Sequence, residues 1–211
     1  MTKCWYYDVD ELKSPEKFSE SMIRLPWEER RDKVTRYRFG KDKRLCLGAG
    51  LVASYALREF GVYDLTLDYS KEGKPFLASA TDIYFNLSHS GKYAVCAVSG
   101  RPVGVDIEEI RSYEEDVAWL CFLRKERDWA GREEDLDKAF YRLWTRKESY
   151  MKCLGQGFSL DPLSFSVVPG AETCKGYRFW ETAIGGHQVC VCALEGEEVL
   201  FCEYPAQPIP I

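Results

Sequence analysis

Nine cysteines are spread along this 211-residue chain without a single C-x-x-C pair, and only two histidines accompany them. Structural zinc needs closely spaced thiolates or imidazoles, so Cys4, Cys46, Cys96, Cys121, Cys153, Cys174, Cys190, Cys192 and Cys202 do not form a common zinc motif. The odd count argues against a full disulfide set. Several of the thiols sit inside apolar runs, as in Ala94–Val98 and Val189–Leu194, where a free cysteine acts as a small hydrophobe. A Gly-rich phosphate loop is missing, which leaves a P-loop type of nucleotide enzyme without support. No apolar run approaches the roughly 20 residues of a membrane span, and no signal peptide opens the sequence. These absences lead to the expectation of a reducing, cytoplasmic location with no membrane partner.

The composition that remains is that of a globular protein long enough to bury a real core, as one large domain or two small ones. A net charge of −5 excludes whole-molecule attraction to nucleic acid. The charge is uneven, however. Residues 24–44 hold nine Lys and Arg against four acids, a local +5 that leaves −10 on the rest. A basic patch on an acidic protein suits a small polyanion better than a long one.

The pattern along the chain is mixed. A first strand is expected over residues 4–9. Ser14-Pro15 opens a helix ending near Leu25, Pro26 opens another, and a third covers about 42–60. Strands are expected over 65–69, 83–87, 93–98 and 103–108, with turns at Gly73-Lys74-Pro75 and Ser88-His89-Ser90-Gly91. The second half repeats the rhythm, with helix over about 113–130 and 134–154, then strands at 163–168, 177–181, 189–194 and 199–204. The segment 205–211, with three prolines, is expected to be extended. The fold class is therefore α+β: two similar lobes, 1–100 and 101–211, each with short, mainly antiparallel strands and a packed helix.

Two stretches carry chemistry. In Val103-Gly104-Val105-Asp106-Ile107-Glu108 the residues alternate strictly, so Asp106 and Glu108 share one strand face while Val105 and Ile107 point to the core. A solvated polar face is the plain alternative; paired, partly buried carboxylates otherwise call for a cation. In Trp144-Thr145-Arg146-Lys147-Glu148-Ser149-Tyr150-Met151-Lys152, helical periodicity sets Glu148 and Lys152 four residues apart as surface neighbours. Alone, this pair reads as an ordinary ion pair. Taken with Asp106 and Glu108, Glu148 completes an all-oxygen donor set suited to Mg²⁺, which keeps several waters and is commonly completed by substrate phosphates. Lys147 and Lys152 would then meet phosphate oxygens. Zinc is disfavoured because neither thiolate nor imidazole accompanies these acids.

Gly104–Glu108 and Trp144–Lys152 resemble the two defining motifs of the 4′-phosphopantetheinyl transferases, most closely the surfactin-synthetase-activating type. Gly73-Lys74-Pro75 is similar to that family's Gly-Lys-Pro turn, and Phe85-Asn86-Leu87-Ser88-His89-Ser90 to its Phe-Asn-x-Ser-His-Ser segment. Residues 118–126 resemble, loosely in the first half, a stretch that often reads Arg-Phe-Phe-Ser-x-x-Glu. The resemblance implies a monomer of two pseudo-symmetric lobes with the active site in the cleft between them. It implies transfer of the phosphopantetheine arm of coenzyme A to a serine of an apo acyl or peptidyl carrier protein, releasing adenosine 3′,5′-bisphosphate. Asp106, Glu108 and Glu148 would bind Mg²⁺, with Mn²⁺ as an alternative. Lys152 would contact the attacked phosphate, Lys147 would steady the diphosphate, and either Glu148 or Lys152 would remove the serine proton. Coenzyme binding would fall to His89, Arg30, Lys33 and Arg44 at the 3′-phosphate, to Ser88 at phosphate, and to Lys74-Pro75 beside adenine. His187, after Gly185-Gly186, reads as a hairpin residue. Carrier contacts would come from Tyr113, Trp119, Leu120, Phe122 and Leu123, with Arg124 or Lys125 for charge. The competing expectations are another Mg²⁺-dependent nucleotide phosphoryl-transfer enzyme and a non-catalytic module that binds carrier proteins.

Overall fold

A computed structural model describes residues 1–79 and 82–205, so most of the expected extended segment at 205–211 lies outside the described residues. In chain order the first half folds as β1 (Thr2–Asp8), α1 (Pro15–Arg24), α2 (Glu28–Arg36), α3 (Gly40–Glu59), β2 (Leu67–Tyr69), β3 (Pro75–Leu77), β4 (Tyr84–Ser90) and β5 (Tyr93–Ser99). The second follows as β6 (Val103–Glu109), α4 (Glu115–Cys121), α5 (Arg124–Ala130), α6 (Leu136–Leu154), β7 (Tyr177–Ile184), β8 (His187–Leu194) and β9 (Val199–Glu203). Local chemistry explains several boundaries. The Ser14 hydroxyl accepts from the Lys17 amide, and Pro15 takes the first helical position, where a missing N–H costs nothing. Asp135 caps α6 by accepting from the Lys138 amide, and Gly155 ends it in the left-handed region at φ 71°.

The two halves share one plan. In each, the opening strand pairs antiparallel with the second strand of a later hairpin, giving the orders β4-β5-β1 and β7-β8-β6. One face of the first sheet packs on α3 through Trp5, Phe85, Ala94, Cys96 and Val98. Its other face meets the second sheet: Cys4, Val95 and Ala97 pack with Val105, Ile107, Val189 and Val191. This is why β5, an almost unbroken apolar run, is buried on both faces. The far side of the second sheet carries α6.

Four expectations change. The strand expected to end the second lobe, β9, leaves it and pairs in parallel with β1, from Thr2↔Val199 to Tyr6↔Glu203. The boundary near residue 100 therefore does not separate the sheets. Ser88, His89 and Ser90 belong to β4 rather than to a turn, and only Gly91-Lys92 turns the chain. The helix expected over 113–130 breaks at Phe122-Leu123, because Phe122 is drawn into the core. Residues 163–168 form no strand: the Ser166 amide donates to Thr173 Oγ1 and the Val167 amide to Glu126 Oε1, so side chains take the place of a ladder.

Where α6 crosses β6, the helix backbone lies directly on Gly104. A Cβ there would stand 2.0 Å from the Ser149 carbonyl oxygen and 2.4 Å from the Cys153 nitrogen. Gly104→Ala is expected to lower stability by about 1–3 kcal/mol or more, since backbone rather than a flexible side chain must move. A fall in the urea midpoint with an unchanged slope is the measurement that checks it.

Candidate active site

Strand β4 runs beside β6 and is joined to it by side chains. Asn86, Ser88 and Ser90 share one face of β4, as strand alternation requires. Asn86 Oδ1 accepts from the Val105 amide at 2.8 Å, Ser88 Oγ donates to Asp106 Oδ1 at 2.8 Å, and Ser90 Oγ donates to Glu108 Oε2 at 2.7 Å. Asn86 and Ser90 had no assigned part in the sequence reading. With 85–90 treated as a strand, their i,i+2 spacing from Ser88 would have placed all three on one line.

Helix α6 brings Lys152 to the same point. Its Nζ is 2.5 Å from Asp106 Oδ1 and 3.1 Å from Ser88 Oγ. Burial alone would lower the Lys152 ammonium, but Asp106 first, then Glu148 and Glu108, hold it above its ordinary value. Glu148 moves the other way: desolvation and the nearby Asp106 charge, with a further push from Glu108, raise it to about 7 despite Lys152. Desolvation and Asp106 likewise raise Glu108, against the Ser90 hydrogen bond. The three acids are thus gathered closely enough to repel one another.

They do not form a preformed cage. Among the described residues no group of three or more His, Cys, Asp or Glu side chains is disposed to hold a metal ion. The structure thus brings Asp106, Glu108 and Glu148 into one cleft without closing them around a metal position. Lys152 supplies the positive charge on Asp106, and Ser90 draws Glu108 aside. The donors still fit a hard dication: all are carboxylate oxygens, and Asp106 Oδ2 is buried without a hydrogen-bond partner.

The basic residues divide. Desolvation, then the charges of Arg30, Lys152 and Lys33, hold the His89 imidazole below its ordinary value, so these four side chains share one region. Arg44 acts on Asp10 instead, and its buried Nε has no hydrogen-bond partner among the described residues. Lys74 turns inward, with Nζ donating to the Lys152 carbonyl at 2.6 Å, where it meets the negative end of α6. Its stem and Pro75 line an apolar cavity of about 340 Å³ with Leu77 and Phe85.

Lys147 is not in the cleft. It is fully buried, 3.0 Å from the equally buried Glu126, and donates to the Pro162 and Phe165 carbonyls at 2.6 and 3.1 Å. One step along a helix turns a side chain by about 100°, which sends Lys147 to the 162–165 loop while Glu148 faces the strand. The expectation that Lys147 steadies a diphosphate is corrected. Phe122 is likewise core, at 1% exposure, and leaves the carrier-contact set. Trp119 and Leu120 are well exposed, at 60% and 72%, and Trp119 lines a groove of about 660 Å³ together with Arg124 and Arg127. His187 begins β8 directly after the Gly185-Gly186 turn, as expected of a hairpin residue.

Comparison with known proteins adds the lineage. The 4′-phosphopantetheinyl transferase superfamily profile matches residues 102–197, and the profile for the N-terminal part of a 4′-phosphopantetheinyl transferase matches 13–101. The 4′-phosphopantetheinyl transferase ffp of Bacillus subtilis is 34% identical over 197 residues, covering 84% of this chain and 88% of that one. The chain belongs to the 4′-phosphopantetheinyl transferase family. Sfp of Bacillus subtilis (strain 168) and gsp of Aneurinibacillus migulanus, both 4′-phosphopantetheinyl transferases, are each 35% identical over 144 residues, or 66% of this chain. Those two matches span 64% and 60% of the relatives' own length. A crystal structure of a holo-(acyl-carrier-protein) synthase from Bacillus anthracis, in complex with CoA (3′,5′-ADP), covers 46% of this chain and 91% of its own. Its TM-score is 0.38 and its identity 18%.

Within the second lobe, Glu126 is the residue that the sequence left without a role. Its Oε2 also accepts from the Leu123 amide, and its Oε1 from the Val167 amide. Lys147→Met is expected to cost about 3–5 kcal/mol, because it strands a buried carboxylate. Adding Glu126→Gln should recover part of that loss. Chemical denaturation of both variants checks the pair.

Proposed function

We propose that this protein transfers the phosphopantetheine arm of coenzyme A to a serine of an apo acyl or peptidyl carrier protein. One observation carries the reading: Asp106, Glu108, Glu148 and Lys152 converge from a strand and a helix beside a basic region around His89. Such a cleft offers oxygen donors for a dication and ammonium donors for phosphate.

In this reading the carrier serine attacks the β-phosphorus, and the bond from that phosphorus to the bridging oxygen breaks. Lys152, kept protonated by Asp106, donates to the phosphoryl oxygens as charge develops on them. Glu148, one helical turn before Lys152, is the candidate to take the serine proton. Ser88 orients both Asp106 and Lys152. Asp106, Glu148 and Glu108 would hold Mg²⁺ or Mn²⁺, which when bound neutralises diphosphate charge and polarises the attacked phosphorus. His89, Arg30 and Lys33 would take the 3′-phosphate, and the cavity at Lys74-Pro75 would flank adenine. The chain would work as a monomer in the cytoplasm. Its carrier would dock on the α4–α5 face, where Trp119 and Leu120 offer apolar area and Arg124 and Lys125 meet an acidic helix.

Intact-mass spectrometry of apo carriers incubated with the protein, coenzyme A and Mg²⁺ is expected to show phosphopantetheine added. No addition across acyl and peptidyl carriers overturns the reading. Asp106→Ala and Glu148→Gln should each reduce the rate by about 10²-fold or more while the circular dichroism spectrum stays unchanged. Chelation should abolish transfer, and added Mg²⁺ should restore it.

A further inference from the structure

All nine thiols of the chain are free, and two of them meet where α6 crosses the second sheet: Cys153 in the last turn of the helix and Cys192 on β8. We propose that Cys153 and Cys192 are a reversible oxidation site, at which a peroxide closes a disulfide that ties the end of α6 to β8 and displaces Lys152. The oxidation stands on its own; its effect on catalysis rests on the transferase reading above.

The register of helix and strand brings the two residues together. Strand alternation turns Val189, Val191 and Ala193 of β8 toward the first sheet, so Cys190 and Cys192 face α6. One turn before Cys153, Ser149 Oγ donates to Cys190 Sγ at 3.4 Å. Four residues along a helix and two along a strand each advance about 6–7 Å, which carries that contact on to Cys153 and Cys192. Cys192 also stands directly across from Gly104, and the Cys153 Cα lies 2.9 Å from where a Gly104 Cβ would be. Strand partners are about 4.5–5.5 Å apart, so the two cysteine Cα atoms are separated by about 6–7 Å, at the upper end of what a disulfide spans.

The surroundings favour oxidation of Cys153. Its thiol is held below its ordinary value, first by the Cys192 thiol beside it and then, against burial, by the Lys74 ammonium. Both sulfurs act back on Lys74. Cys153 is buried, but it lies two residues from the Gly155 that ends α6, and helix ends open locally at little cost. The Cys153 thiolate attacks one peroxide oxygen, the O–O bond breaks, and the departing hydroxide takes up a proton to leave as water. The Cys192 sulfur then attacks the sulfenic sulfur, the S–O bond breaks, and a second water leaves with the Cys192 proton.

Closing that bond draws the helix end sideways, because backbone already resting on Gly104 cannot descend further. β8 flanks β6 on one side and β4 on the other, so Lys152, next in sequence to Cys153, moves away from Ser88. A shift of about 1 Å in a catalytic group can cost about 10²-fold in rate.

Hydrogen peroxide should remove about 2 Da from the reduced protein, with fragment spectra joining 153 to 192. Transfer to an apo carrier should fall at least about tenfold and return with dithiothreitol. Cys153→Ala and Cys192→Ala should each keep their rate through the same treatment. A bond between other cysteines, or thiols at 153 and 192 that still alkylate, overturns the site. A 153–192 bond that leaves the rate unchanged overturns the switch. If a variant fails to fold, the mapped wild-type bond and the wild-type rate decide. Reduced wild type that modifies no carrier overturns the transferase reading, and the mapped bond alone then decides the oxidation site.

Discussion

The close seat of α6 on β6 sets the geometry of everything in the cleft. Glycine at 104 lets the backbone of the helix rest on the strand, and the residues that follow on each element are then fixed in register. Two residues along the strand, Asp106 faces Lys152; one helical turn back stands Glu148. A side chain at 104 would lift the helix and separate charges that interact only at short range. Lys74 secures the same crossing from the first lobe by donating to the Lys152 carbonyl of α6 and the Val103 carbonyl of β6. The catalytic candidates therefore depend on packing between backbones more than on attractions among themselves.

Helix α6 shows how one amphipathic element serves several purposes. Arg146, Lys147, Glu148 and Lys152 are all charged, yet each meets a different surrounding. Arg146 pairs with Glu172 and Glu181 and stacks on Phe179. Lys147 is enclosed with Glu126. Only Glu148 and Lys152 reach the cleft. The buried pairs pin the helix and its loop, and a rigid support is what a charge cluster with mutual repulsion requires.

How much of this was legible in the sequence depended on whether the signal was local. Strand alternation placed Asp106 and Glu108 together, and i,i+4 spacing placed Glu148 beside Lys152. Ser14-Pro15 marked a helix start to the residue. The direction of Lys147 was not legible, because a lysine next to Glu148 looks the same whether it faces the cleft or a buried Glu126 from another helix. Ser88-His89-Ser90 reads as a turn by composition, and only the neighbouring β6, which takes up its hydroxyls, makes it a strand. The partner of β9 was hidden for the same reason: pairing with β1 leaves no trace in either segment alone.

That last pairing has a bearing on how the protein is made. β1 leaves the ribosome nearly two hundred residues ahead of β9. Until then, one edge of β1 is an open row of amides and carbonyls, able to recruit another nascent strand. The amino-terminal lobe thus cannot mature on its own during translation, and its completion waits on the polypeptide that builds the other half.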